Sequence, residues 1–259
     1  IGFSLSNISR SLWCSLTSAR FLPSPYSDQT KQYYQLLSRF SSNLAMLSDI
    51  AMVVLGADLK RKERISARLG DVLSHLYLAS ACLKRFNDEG RQQDDLPLLQ
   101  WAVEDSLYNI QKAIDELLSN FPNKWVAYVL RAIIFPFGTW LTKPSDELDH
   151  KVAALLQTPG EARNRLGKWQ YLTRDGKNVF GILEQTLEDI IACEPIYKKV
   201  CKAINKELPF YNLDQAAKLG LEANAITAKE AQILIKAEEG RKIVISVDDF
   251  ESNELKASA

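Results

Sequence analysis

Three successive segments of the chain place apolar residues at alternating spacings of three and four, and nothing else in the sequence limits the fold as strongly. The first runs through Tyr33, Leu37, Phe40, Leu44, Leu47, Ala51 and Val54. The second runs through Ile65, Leu69, Val72, Leu76, Ala79, Leu83 and Phe86. The third holds Leu96, Val103, Leu107, Ile110, Ile114, Leu117 and Phe121 in one heptad register. At 3.6 residues per turn each set falls on one stripe of a helix. A single striped helix is marginal in water and needs a facing partner. Three in a row therefore predict an all-α protein, with a long-helix antiparallel bundle over residues 27–142. Ser27 or Asp28 is placed to cap the first helix, and Asn87-Asp-Glu-Gly90 to end the second.

A fourth segment, Trp125 to Leu141, is almost wholly apolar, with Pro122 placed at its first helical position. Arg131 and Pro136 interrupt it, and it is short of the roughly 20 apolar residues a spanning helix needs. Two readings stay open: a central helix buried on all sides, or a hydrophobic surface for membrane or partner. Tryptophans at both ends suit the second, with Trp125, Leu130, Ile133, Phe137 and Trp140 as its candidate residues.

The flanking regions read differently. Residues 1–26 are Ser-rich and end in Phe21-Leu-Pro-Ser-Pro-Tyr26, which suggests the tail of a preceding domain and a linker. The first residue is Ile1, so the chain is expected to start inside a longer protein, and no signal-peptide pattern opens it. Residues 143–259 predict a smaller helical C-terminal extension. Ser145 caps a helix whose first turn holds Asp146 and Glu147 and whose apolar face is Leu148, Val152, Leu155 and Leu156. A turn at Asp175-Gly-Lys-Asn178 leads to helices near 181–193 and 195–206. Asn212 with Gln215, and Thr227 with Glu230, have capping-box spacing. A short strand pattern touches Lys242–Val247, and Asp248, Asp249, Glu251 and Glu254 read as a solvated tail.

The chemistry-bearing residues form no self-sufficient site. Formal net charge is zero, which gives no electrostatic footprint for nucleic acid. Four cysteines (Cys14, Cys82, Cys193 and Cys201) and two histidines (His75 and His150) make neither a CxxC pair nor a zinc spacing. Reduced, buried thiols are the expectation, and no metal site is expected. His75 and Cys82 share a helical face, but His75 fits better as a polar residue at the edge of the seam. There is no GxGxxG, no GxxxxGK[ST] and no GxSxG. Adjacent acids such as Glu104/Asp105 point apart on a helix and give no acid–base pair. The densest charge cluster is Asp58 to Arg64, extended by Arg68: the cations Lys60, Arg61, Lys62, Arg64 and Arg68 against Asp58 and Glu63. It reads either as a solvated helix junction or as an anion site for a lipid headgroup, a nucleotide phosphate or an acidic partner.

Several stretches resemble a known family. They are Leu37-Ser-Arg-Phe-Ser-Ser-Asn-Leu-Ala45, Val54-Leu-Gly56, Leu59 to Ala81, Asn120-Phe-Pro-Asn123, Ile134-Phe-Pro136, Pro144 to Val152 and Gln170-Tyr-Leu-Thr173. Leu208-Pro-Phe210, Lys236-Ala-Glu-Glu239 and Val247-Asp-Asp-Phe250 follow in the same order. Together they resemble the C-terminal helical region of the bacterial fatty-acyl-coenzyme A dehydrogenases of β-oxidation. A fainter similarity links Arg68-Leu-Gly-Asp and Leu76-Tyr77 to the C-terminal helical domain of the mitochondrial very-long-chain enzymes.

The resemblance implies an oxidoreductase as the whole protein. Acyl-CoA is oxidised to trans-2-enoyl-CoA while a glutamate takes the α-proton and FAD accepts hydride from the β-carbon. In that family the glutamate and the flavin-binding segments lie upstream of the matched region. No catalytic, cofactor-binding or metal residue is therefore assigned here. FAD is expected in the full-length enzyme and not on this chain alone, which is expected to be inactive by itself. The implied partners are the rest of its own polypeptide, fatty acyl-CoA for the whole enzyme, a homodimer and a peripheral contact with membrane. The expected place is the cytoplasm, against the inner face of the cytoplasmic membrane. The role left for this piece is structural, dimer-supporting or membrane-docking. The alternative is an independent helical interaction module without redox activity.

Overall fold

A computed structural model describes residues 2–208 and 212–247, and the chain divides after Leu156 into two units. Among the described residues there are ten α-helices and no strand. The first unit holds α1 (Gly2–Leu16), α2 (Lys31–Leu55), α3 (Glu63–Asp88), α4 (Leu96–Ser119), α5 (Lys124–Ile134) and α6 (Asp146–Gln157).

The three predicted stripes form the core of this unit. Leu36, Leu37, Phe40, Leu47 and Ala51 of α2 meet Val72, Leu76, Ala79, Leu83 and Phe86 of α3, and Val103, Leu107, Ile110, Ile114 and Leu117 of α4. Neighbouring helices run antiparallel. Arg68, early in α3, lies 3.6 Å from Glu116, late in α4. Arg91, just past α3, pairs with Asp28, just ahead of α2. Each fully buried Leu, Ile or Phe contributes about 1.5–3 kcal/mol, whereas an exposed ion pair such as Lys84–Asp88 is screened by solvent and adds little. The stripes, not the surface charges, hold the unit together.

Four expectations for this unit need correction. Residues 2–16 are a helix rather than a tail. Cys14 is buried, Asn7 donates to Asp49 (2.9 Å) and Ser11 to Asn43 (2.6 Å) on α2. Helix α2 starts at Lys31, and Asp28 caps the preceding turn instead by accepting from Thr30 N (3.0 Å). Pro122 lies outside α5, whose cap is Asn123, accepting from Val126 N at 3.2 Å. Helix α6, begun as expected by Ser145, belongs with the first unit, where Asp149 accepts from the Trp101 indole.

The second unit holds α7 (Glu161–Leu166), α8 (Val179–Ile204), α9 (Leu213–Glu222) and α10 (Ala228–Ile245). The Asp175 turn forms, its carboxylate accepting from Lys177 N and Asn178 N (both 2.9 Å). Both capping sites form, and Thr227 with Glu230 is fully reciprocal. Two expectations fail. Residues 179–204 are one helix, not two, because Pro195 is exposed and the carbonyl it leaves unpaired can be hydrated. Residues 242–245 continue α10 rather than forming a strand, and Lys242 reaches Glu238 (3.7 Å) at the i,i+4 spacing of a helix. The acidic tail at Asp248, Asp249, Glu251 and Glu254, and the Pro209–Phe210 part of the family motif, lie outside the described residues.

Candidate functional site

The fourth apolar segment is neither buried all round nor exposed all round. Ala127, Leu130 and Ile134 of α5 recur at spacings of three and four and enter the core, followed by Phe135. Trp125, Tyr128, Val129 and Ala132 recur in the same way on the opposite face and are exposed, Trp125 at 83%. Of the predicted surface residues, Trp125, Phe137 and Trp140 are exposed. Leu130 is a core residue, 2% exposed, and Ile133 is half-buried against the core. The helical period decides this, because Leu130 shares its face with Ile134 while Trp125 shares its own with Tyr128 and Val129. Those last two complete the surface and were not singled out from sequence.

The loop beyond α5 is held in place by buried polar groups. Gln111 donates to Leu141 O (2.9 Å) and accepts from Trp140 N and Leu141 N (both 3.0 Å). Arg39 donates to Ile134 O (2.8 Å), the last carbonyl of α5. Phe137 and Trp140 are thereby displayed beside an opening of ≈ 820 Å³ that also bears Arg20, Lys31 and Gln32. Asp28 lines it too, with its carboxylate committed to Arg91 and Thr30.

At the other end of α5 lies the basic cluster. A cleft of ≈ 470 Å³ is walled by Arg61, Lys62, Glu63, Arg64, Ile65 and Arg68 on one side and Asn120 and Pro122 on the other. The structure thus brings together four of the five predicted cations and leaves Lys60, at the end of the 3-10 turn Gly56–Lys60, outside the lining. Arg61, Lys62 and Arg64 are exposed, whereas Arg68 is half-buried and faces Glu116 at 3.6 Å.

The remaining reactive side chains are otherwise engaged. Burial pushes the thiols of Cys14, Cys82 and Cys193 up, Cys193 to about 11, so that each stays protonated at neutral pH and is a poor nucleophile. Glu104 accepts from the Tyr33 hydroxyl (2.8 Å). Among the described residues no group of three or more His, Cys, Asp or Glu could hold a metal ion. A groove of ≈ 960 Å³ between the residue 22–26 segment, α2 and α3 is lined mainly by leucine, tyrosine, proline and serine.

Among the described residues one helical stretch, Lys31–Lys60, is long and apolar enough to cross a bilayer. It contains α2, whose Gln35, Arg39 and Asn43 sit one turn apart and are all buried. Gln35 donates to the carbonyls of Arg20 and Leu22, and Asn43 accepts from Ser11. Each of the three has a protein hydrogen-bond partner that lipid would not supply, which identifies α2 as a core helix of the bundle. Sequence reasoning followed only the apolar stripe of α2. The four-residue spacing of Gln35, Arg39 and Asn43 was the signal for the polar one.

Fold and surfaces together define an all-α protein of long, striped helices with an exposed aromatic helix face and a basic cleft. The chain belongs to the family described as acyl-CoA dehydrogenase, C-terminal, bacterial type, whose match covers residues 1–250. It is the C-terminal domain of an acyl-CoA dehydrogenase, an oxidoreductase as a whole. No solved structure matches the chain.

Proposed function

We propose that this domain docks an FAD-dependent fatty-acyl-CoA dehydrogenase onto the anionic inner face of the cytoplasmic membrane, where long acyl chains are supplied. The whole enzyme would convert acyl-CoA to trans-2-enoyl-CoA with residues upstream of this region. The carrying observation is the exposed apolar stripe of α5, Trp125, Tyr128 and Val129, with cations near both its ends. The cleft with Arg61, Lys62 and Arg64 adjoins the α4–α5 connection. Arg20 and Lys31 lie beside Phe137 and Trp140 at the far end. An apolar stripe flanked by cations is what peripheral binding to anionic lipid requires.

Flotation of the purified chain with phosphatidylglycerol vesicles tests the reading. The chain is expected to float at low salt and to be released as salt rises. Trp125→Ser with Tyr128→Ser removes two aromatic anchors at roughly 1.5–3 kcal/mol each, so partitioning should fall about a hundredfold or more. Both side chains are exposed, so the fold should persist. A chain that stays at the bottom of the gradient at low salt ends the docking reading and favours a structural or dimer-supporting role.

A further inference from the structure

We infer that the cleft between the start of α3 and the α4–α5 connection is a binding site for a phosphoryl group. Four cations, Arg61, Lys62, Arg64 and Arg68, line a space of ≈ 470 Å³ against one acid, Glu63. Among the described residues, Arg61, Lys62 and Arg64 enter no ion pair, although Asp58 and Glu63 are close in sequence. Elsewhere on α3 and α4 the pattern differs. Lys84 and Arg85 pair with the acids one turn on, and Lys112 lies 4.0 Å from Glu116. Cations gathered in excess of their counter-charges repel one another, and a bound anion relieves that repulsion.

The details favour a phosphoryl group over a carboxylate. Three arginines offer forked donors suited to a group with several acceptor oxygens. Arg68 lies 3.6 Å from Glu116, too long for a hydrogen bond, and donates only a long bond of 3.5 Å to Arg64 O, so its donors can turn to a ligand. Asn120, fixed by its donation to Glu116 O (2.7 Å), forms the opposite wall. The cleft also opens at the start of α3, where Lys62 contributes no capping side chain, and first-turn N–H groups add to the cationic field.

The same chemistry is offered by a lipid headgroup and by the phosphates of a soluble acyl-CoA. If the source is the headgroup, the site rests on the docking reading. If it is soluble, the site stands without it.

Calorimetric titration of the purified chain with inorganic phosphate, at ionic strength held constant with chloride, tests the assignment. Saturable binding is expected. Arg61→Gln with Arg64→Gln should weaken it about tenfold or more, because both charge-assisted forks are lost. Lys84→Gln with Lys198→Gln removes the same charge from exposed positions elsewhere and should leave binding unchanged. Phosphatidic acid vesicles that displace phosphate identify the headgroup as the source, and coenzyme A that displaces it identifies the soluble one. Either result supports the site. Three results overturn it: no saturable binding, equal loss in the control pair, or phosphate displaced by neither source, which would mean an adventitious ion only. Phosphate binding without flotation removes docking and keeps the site, and flotation without phosphate binding does the reverse.

Discussion

The two units are both helical, yet different side chains close them. The first is built on large residues: Phe40, Phe86 and Phe121 are buried among leucines and isoleucines of α2, α3 and α4. The second buries Val200, Leu213, Ile226 and Leu234 together with Cys193 and four alanines, Ala216, Ala217, Ala231 and Ala237, and among the described residues no aromatic is fully buried in it. Small residues let its helices approach closely. An added β-carbon on Gly220 would lie 2.7 Å from both Val200 Cγ2 and Ile226 Cδ1. Interhelical ion pairs then bridge the surface: Lys199–Glu230 (2.9 Å), Lys236–Asp189 (3.0 Å) and Lys242–Asp214 (2.8 Å). Packed volume supports the first unit. Backbone proximity with peripheral charge supports the second, although solvent screens each such exposed pair and leaves it weak. The first unit should therefore be sensitive to lost volume and the second to added volume.

Phe40→Ala should have the largest effect. The ring is 1% exposed at the junction of α2 with its neighbours, and its removal leaves a cavity that long helices cannot easily collapse. A loss of about 3–5 kcal/mol is expected, read as a lower denaturant midpoint together with faster amide exchange in α2, α3 and α4. Exchange that accelerates equally in α8–α10 would mean that the two units melt as one, and the comparison would lose its meaning.

Gly181→Ala comes next and runs in the opposite sense. The added methyl would collide with the carbonyl oxygen of Thr173, a backbone atom that cannot swing aside. Overpacking of this kind costs about 1–3 kcal/mol. Amide exchange in α8 should rise while α2–α4 stay protected. An unchanged α8 would show that the Thr173 segment yields freely and that close approach is not what holds this unit.

The legibility of the molecule follows the same division. Long period-3.6 stripes are strong signals because seven in-phase residues leave few alternatives, so α2, α3 and α4 were readable to within a few residues. Helix α1 was hidden by its serines. Ser11 and Ser15 suggest a linker until one sees Asn43 accept both hydroxyls, a long-range contact that no local pattern encodes. Pro195 and the β-branched run Ile243-Val-Ile245 are local signals that the helices run through, in both cases at exposed positions. At the surface, the composition of Trp125–Leu141 marked the right segment, but only the helical phase relative to the core separates Leu130 from Tyr128. The cleft needed both α3 and the α4–α5 connection, so its cations were legible while its far wall at Asn120 and Pro122 was not.

The smallest predicted effect tests the charge side of the second unit. Glu230 is held at about 2, well below its ordinary 4.5, first by the Thr227 backbone N–H and then by Lys199 and the Thr227 hydroxyl. Its folded-state pKa is depressed, so its contribution is present above pH 4.5 and fades as pH falls towards about 2. Glu238, lowered chiefly by its hydrogen bond from Arg241, acts in the same direction. Glu230→Gln keeps a side chain able to accept from Thr227 N but removes the charge. The variant should be slightly less stable than the parent near neutral pH and should converge with it on acidification, since the parent loses there what the variant never had. Thermal melts across this range, with amide exchange in α10 to locate the change, check it. Two parallel pH curves would show that the Glu230 charge contributes nothing to stability. The unit would then rest on its small-residue packing alone, and the contrast with the first unit would reduce to side-chain size.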